Sequence, residues 1–233
     1  MTPNSAPPPL APSGSRHVLV TGGTGYLGRA LLPALLASGH QVRALVRPGS
    51  DRNLPAGVEI VRGNPLEPGD LQAALAGVDT LVHLVGVPKP GPAKAKLFRA
   101  IDLVSIQVAA AAVARADPRP HLVYLSVAQP APVMRAYVAV RQEGEALLGS
   151  LGLDATCLRP WYVLGPGHRW PCLLLPVYAL LRRIPATRAG AERLGFVTLR
   201  QMVAALVQAV EHPAQGVRVM EVPAITRAGE AGV

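Results

Sequence analysis

The sequence predicts an α/β fold, a doubly wound parallel sheet carrying a small irregular insertion over one edge. Three observations lead there. Short apolar runs alternate with amphipathic runs of helical period along the chain. A glycine-rich turn, residues 21–28, joins the first apolar run to the first amphipathic one. No stretch of linker composition divides the 233 residues, half of them apolar, so one sizeable core is within reach.

In chain order, residues 1–15 contain Pro7-Pro8-Pro9, Pro12 and Ser13-Gly14-Ser15, with neither a basic start nor an unbroken apolar core. They read as a disordered tail rather than a signal peptide, and a single domain is expected over 16–233. Strands are expected at 17–20, 41–46, 58–61, 79–85, 121–126 and 155–159, with a late one near 217–222. Helices fit 26–38, 69–76, 97–115, 135–151 and 199–211. Such alternation builds βαβ units whose sheet is covered on both faces and whose ligands collect at the carboxyl ends of the strands. From about 160 to 200 a proline-interrupted, lid-like insertion lies over that edge. No run reaches the ~20 apolar residues of a spanning helix; the nearest, Leu173 to Leu181, contains Pro176. A cytoplasmic protein is expected.

The glycine turn carries the first chemistry. Gly22 permits the tight strand-to-helix turn, Gly25 lets a pyrophosphate approach the backbone, and Gly28 lets the helix lie close to the sheet. Thr24, Tyr26 and Leu27 fill the positions between and beside them. The helix N-terminus supplies free N–H groups and partial positive charge to an anion. No Gly-Lys-Ser/Thr ending follows, which excludes a nucleoside triphosphatase loop, and a dinucleotide is the expected ligand. At the end of the second strand, where a carboxylate would grip an unphosphorylated ribose, stands Arg47. A guanidinium forks onto a 2′-phosphate, with charge-assisted bonds worth roughly 1.5–3 kcal/mol. NADP is therefore expected over NAD, with Asp51 as the competing residue beyond Pro48-Gly49.

The net charge of +9 comes from 20 Arg and 3 Lys against 14 acidic residues. Enrichment in Ala, Gly and Pro points to codon bias as its source, and no aromatic-interleaved basic stretch indicates a nucleic-acid partner. Cys157 and Cys172 have no Cys or His companions at ligand spacing, so buried reduced thiols and no metal site are expected.

Together these residues resemble the short-chain dehydrogenase/reductase superfamily. The likeness is to its extended or atypical branch, which includes NAD(P)-dependent epimerases, NmrA-like proteins and the reductase-like accessory subunit of respiratory complex I. Thr21 to Gly28 fits TGxxGxxG, and Gly63-Asn64 falls where the family has Gly-Asp. Asp79 to Gly86 resembles its fourth strand, Ile101-Asp102 its helical Val-Asn, Val123 to Ser126 its fifth strand, and Leu158 to Gly167 its RPxxVxGPG segment. The resemblance implies a Rossmann-type fold, adenine near Asn64, nicotinamide-side contacts at Leu84, Val85 and Gly86, and further contacts from Pro160, Tyr162 and Val163. It implies pairing of two copies through helices like 97–115 and 135–151.

The superfamily's Tyr-x-x-x-Lys appears here as Tyr137-Val138-Ala139-Val140-Arg141. One helical turn brings the cation under the phenol, but a guanidinium is larger than an ammonium and does not deprotonate. The family's carbonyl-polarising Ser or Thr falls at Ala128, and Ser126 serves instead only with a small register shift. The candidate catalytic residues are thus Tyr137, Arg141 and Ser126, while His83, in an apolar strand, reads as structural. The reaction implied is NADPH-dependent reduction of a carbonyl or quinone-like small molecule, with dehydrogenase or epimerase chemistry on the same degenerate site left open. Its alternative is a non-catalytic NAD(P)H-binding sensor or assembly module. Residues 161–188 combine Trp161, Tyr162, Trp170 and a leucine-rich run with Arg182, Arg183 and Arg188. They are expected either to roof the cleft or to face a lipophilic substrate or an anionic membrane.

Overall fold

The computed structural model describes residues 14–50, 54–88, 90–166 and 183–230. Strands are β1 (His17–Thr21), β2 (Gln41–Val46), β3 (Val58–Arg62), β4 (Thr80–His83), β5 (His121–Leu125), β6 (Ala155–Arg159), β7 (Tyr162–Leu164), β8 (Phe196–Thr198) and β9 (Val217–Glu221). Helices are α1 (Tyr26–Ala37), α2 (Pro68–Ala74), α3 (Pro92–Arg115), α4 (Arg135–Ser150), α5 (Pro185–Arg193), α6 (Leu199–Glu211) and α7 (Val222–Glu230). Seven strands form one sheet in the order β3-β2-β1-β4-β5-β6-β9, and every pair in it is parallel.

Alternate strand residues point to opposite faces, and β1 displays this directly. Val18 and Val20 join α1 and α6 residues such as Leu31, Leu32 and Leu206 on one side. Leu19, between them, joins Leu71, Phe98, Ile106 and Tyr124 on the other. Both faces are buried, which explains why the strands read as continuous apolar runs. The order of the strands reverses between β1 and β4, opening the crevice at their carboxyl ends where such sheets take their ligands.

Three departures from the sequence reading have local causes. Helix α3 starts at Pro92, five residues earlier than expected, because a proline is compatible with the first turn of a helix whose leading N–H groups have no intrahelical partner. The insertion is not wholly irregular: β7 and β8 pair in parallel, with α5 between them in sequence, and strands of three residues leave too little alternation to read. Residue 222 opens α7 instead of ending a strand. The expectation that no segment nears spanning length meets one exception in α3, whose mean hydropathy reaches 1.7 while half of that window is buried. Its Phe98, Ile106, Ala109 and Val113 are core residues against the sheet. The tail through residue 13, Asp51, Cys172 and most of the leucine-rich run (Trp170, Leu173 to Leu175, Tyr178, Leu180-Leu181) lie outside the described residues.

Two histidines are packed into the sheet. His83 is fully buried between Thr21 Oγ1 (2.9 Å from Nδ1) and Ser105 Oγ (3.1 Å from Nε2). Ser105 donates to the Asp102 carbonyl at 2.9 Å, so it accepts from His83 Nε2–H, and Nδ1 accepts from Thr21. Burial, reinforced by Arg141, lowers its pKa to about 3. Burial and Arg218 lower that of His121 to about 4, against the pull of Asp154. Both rings are neutral in the fold, in keeping with the structural reading of His83. In the unfolded chain they take protons below about 6.5, so their penalty is absent above that pH and grows as pH falls toward 4 and 3. Urea unfolding is expected to lose about 1.4 kcal/mol per pH unit for each histidine across that window. In His83→Gln that histidine's share of the slope should disappear; an unchanged slope would contradict the assignment.

Candidate active site

The site forms where the glycine turn, the end of β4 and the start of α4 converge. Gly22 has φ +77, and a Cβ there would sit 2.8 Å from the Leu84 carbonyl, so only glycine allows the turn to lie against the end of β4. A Cβ on Gly28 would collide with the Gly22 carbonyl and the Gly23 backbone, so glycine also seats α1. Gly25 is the N-cap of α1, with extended backbone and no capping side chain. The leading N–H groups of that helix are therefore not used by a cap. Tyr26 crosses the crevice, its hydroxyl occupying the place a Cβ on Gly165 would need. Burial and then Tyr162 raise its pKa.

Several cofactor candidates are thus brought together. Leu27, Leu84 and Val163 pack on the same cluster; Tyr162 meets Phe196 edge-on at 6.2 Å; and the buried Pro160 accepts from Ala128 N–H at 3.0 Å. Thr24 accepts from Arg29 Nε through its carbonyl at 2.9 Å. Val85 and Gly86 continue from β4, half-buried. Arg47 lies exposed at the end of β2, and Asn64 follows β3, its N–H donating to Asp70 at 2.7 Å.

Helix α4 carries Tyr137, Arg141 and Glu145 on one stripe, each a turn apart. Its N-cap, Met134, takes the left-handed conformation at φ 58, uncommon without glycine, and so turns the chain sharply into the helix. Arg141 is buried (2 % exposed). It donates to Asp102 Oδ1 at 2.5 Å and to the Leu125 carbonyl at 2.8 Å, and its guanidinium lies 5.1 Å from the Tyr137 ring centroid and 5.6 Å from that of Tyr124. Burial opposes its charge, but Tyr137, Tyr124 and Asp102 outweigh that and hold it cationic. Burial pushes the Asp102 carboxyl up, against the pull of Arg141 and the Val87 N–H. The Tyr124 phenol, pushed by burial to about 12, stays protonated. Tyr137 is half-buried, with the Phe98 ring 5.0 Å away. A Cβ on Gly86 would lie 2.5 Å from Arg141 Nη2 and 3.0 Å from Asp102 Oδ1, so the ion pair sits directly beneath the β4 terminus.

Ser126 lies elsewhere in the hydrogen bonding. Its hydroxyl donates to Glu145, which also accepts from Gln129 Nε2 at 2.9 Å and from Arg159, while Arg159 reaches Glu221 at 2.9 Å. The Glu145 carboxylate thus fixes the direction of the Ser126 O–H. The Ala128 side chain is buried and apolar. Asp102, Glu145 and Arg159 were given no role by the sequence reading. The four-residue spacing of Tyr137, Arg141 and Glu145 was the available signal for Glu145.

Comparison with known proteins agrees with this geometry. The chain belongs to the NAD(P)H-binding family, which matches residues 22–167. It is 28% identical over 201 residues to the ceramide reductase of Caulobacter vibrioides, a match covering 85% of this chain and 62% of that protein. It is 31% identical over 170 residues to the 4-hydroxy-2-methyl-3-oxo-4-farnesyl-3,4-dihydroquinoline-1-oxide ketoreductase of Stigmatella aurantiaca, covering 64% and 51%. The chain therefore spans less than two thirds of the length of either relative. A short-chain dehydrogenase/reductase family oxidoreductase from Burkholderia thailandensis shares the fold, with a TM-score of 0.66 at 21% identity, covering 91% of this chain and 93% of that one.

Because Asp102 and Arg141 balance each other in the interior, removing one partner leaves a buried charge. Asp102→Asn is expected to cost about 3–5 kcal/mol in urea unfolding, and Asp102→Leu combined with Arg141→Met less than the sum of the two singles. Additive losses in that cycle would show the two groups to be uncoupled.

Proposed function

We propose that this chain is an NADPH-dependent reductase of a carbonyl or quinone-like carbon on a lipophilic small molecule. The observation that carries the reading is Tyr137, half-buried beside the permanently charged Arg141 at the terminus of β4. The glycine turn and the uncapped start of α1 would hold the pyrophosphate, Arg47 the 2′-phosphate, and Leu84 to Gly86 with Pro160, Tyr162 and Val163 the nicotinamide end. When bound, NADPH supplies the hydride. Tyr137 donates the proton to the carbonyl oxygen, and Arg141 steadies the negative charge that develops on the phenol oxygen. Ser126 acts through Glu145, holding the wall formed by β5 and α4 rather than polarising the carbonyl. The names of the two relatives supply the substrate class: one reduces ceramide, the other a ketone bearing a farnesyl chain. The same reading includes a homodimer through α3 and α4, supported by the outward, exposed Ala100 and Val104 of α3.

A second reading, a non-catalytic NAD(P)H-binding sensor or accessory module, is favoured by one feature: Ala128 stands at the carbonyl-polarising position and the Ser126 hydroxyl is committed to Glu145. An oxyanion donor is worth about 2.7–4 kcal/mol, so turnover with one donor is expected to be slow.

Calorimetry should find NADPH bound more tightly than NADH, with Arg47→Ala weakening NADPH about 10- to 150-fold and NADH little. Equal affinities in the parent protein would remove the assignment of NADP. In a screen of long-chain ketones and quinones, Tyr137→Phe is expected to abolish NADPH oxidation while leaving NADPH affinity nearly unchanged. Unchanged turnover would defeat the tyrosine mechanism, and no turnover by the parent protein with any acceptor would favour the binding-module reading.

A further inference from the structure

Among the described residues, three segments at the carboxyl end of the sheet carry an excess of cations. At the amino end, residues 14–16, 75–79, 116–120 and 151–154 hold Asp79, Asp117 and Asp154 against Arg16 and Arg119. At the carboxyl end, residues 90–101, 126–135 and 183–193 hold seven Lys or Arg against one carboxylate of their own, Glu192, with Arg99 paired to Glu143 of α4 at 3.6 Å. The three most exposed large apolar side chains among the described residues belong to this second set: Val133 is 55% exposed, Leu97 45% and Ile184 43%.

These segments form one neighbourhood. Helix α3 has 24 residues, about 36 Å, while the five-residue strands run only about 17 Å. Because its far end returns to the amino edge to enter β5, its first turns must project past the strand ends, carrying Lys96 and Leu97. The Phe98–Tyr137 ring contact fastens that projection to α4, and Val133 and Arg135 lie just ahead of Tyr137 in the chain. Arg193 Nε donates to the Pro130 carbonyl at 3.1 Å, tying α5 to the same loop; Arg183 and Ile184 lead into α5.

We propose that this face, with Lys96, Leu97, Val133, Arg135, Arg183 and Ile184, docks the protein on an anionic lipid surface. Cations meet the headgroups while the apolar side chains enter the boundary with the acyl chains. Charge complementarity selects this occupant: the cationic excess of the three segments meets anionic headgroups, and the exposed Leu97, Val133 and Ile184 beside those cations match the acyl boundary. A further consequence, which rests on the reductase reading, is that Tyr137 then faces the bilayer and a lipophilic carbonyl compound enters the cleft from the membrane.

The full chain should co-sediment with vesicles containing phosphatidylglycerol and remain in the supernatant with phosphatidylcholine alone. Raising the salt should release it. Lys96→Glu and Arg135→Glu should each weaken vesicle binding at least about fivefold, the loss of one basic contact, and Leu97→Ser with Val133→Ser should weaken it further while NADPH affinity stays unchanged. Absence from both vesicle pellets, or binding indifferent to these substitutions, overturns the docking face. So does equal competition by duplex DNA at matched charge, which would mean a general polyanion surface. A protein that binds NADPH but no vesicles refutes this proposal alone; one that binds anionic vesicles but turns over no acceptor supports it and counts against the reductase reading.

Discussion

A guanidinium buried without counter-charge would cost several kcal/mol after every relaxation available to a protein interior. Arg141 meets that constraint with the carboxylate of Asp102 and the carbonyl of Leu125. Its bonds join α4 to α3 and to the end of β5, and its bulk makes Gly86 obligatory at the end of β4. Asp102 extends the link by accepting from Val87 N–H at 3.1 Å. The ends of β4 and β5 and the helices α3 and α4 therefore all meet this ion pair. The cation beside the Tyr137 ring is also the tie that holds these elements together, so single substitutions of it alter the site and the stability of the fold at once.

One turn further along the same helix, Glu145 performs the corresponding task for the outer strands. It gathers Ser126 and Gln129 beyond β5 and Arg159 at the end of β6, and Arg159 passes the connection to Glu221 of β9. Pro160 follows Arg159 directly, so this network sets the exit of β6 toward Tyr162 and Val163. The hydroxyl that a register shift would have offered to a substrate is spent on the scaffold. Tyr137 is thereby left as the half-buried hydroxyl on which the proposed reductase reading centres.

The parallel sheet also gives the molecule its electrical polarity. Helices start where strands end, and three of the described segments at that edge carry mostly Arg and Lys, whereas three of the returning turns carry an Asp each. A nicotinamide dinucleotide is an anion, and a cationic excess at this edge favours anions there. Codon bias accounts for the choice of arginine over lysine without accounting for where the cations are placed.

Much of the fold was legible in the chain because it rests on local rules: β1, β2, β6 and α6 lie at or within a residue of where alternation of apolar runs places them, and glycines at 22, 25 and 28 identify the nucleotide turn through backbone geometry alone. Family membership was legible for the same reason, since its motifs are contiguous. Tertiary structure alone decided what the polar residues do. Asp102 and Arg141 are 39 positions apart, Arg159 and Glu221 62 apart, and no periodicity relates such pairs. Whether Ser126 faces a substrate or Glu145 depends on the rotation of α4 against β5, which packing sets. Short-range sterics and hydrophobic period write the backbone into the sequence, while the partner of a buried charge is chosen only when distant segments meet.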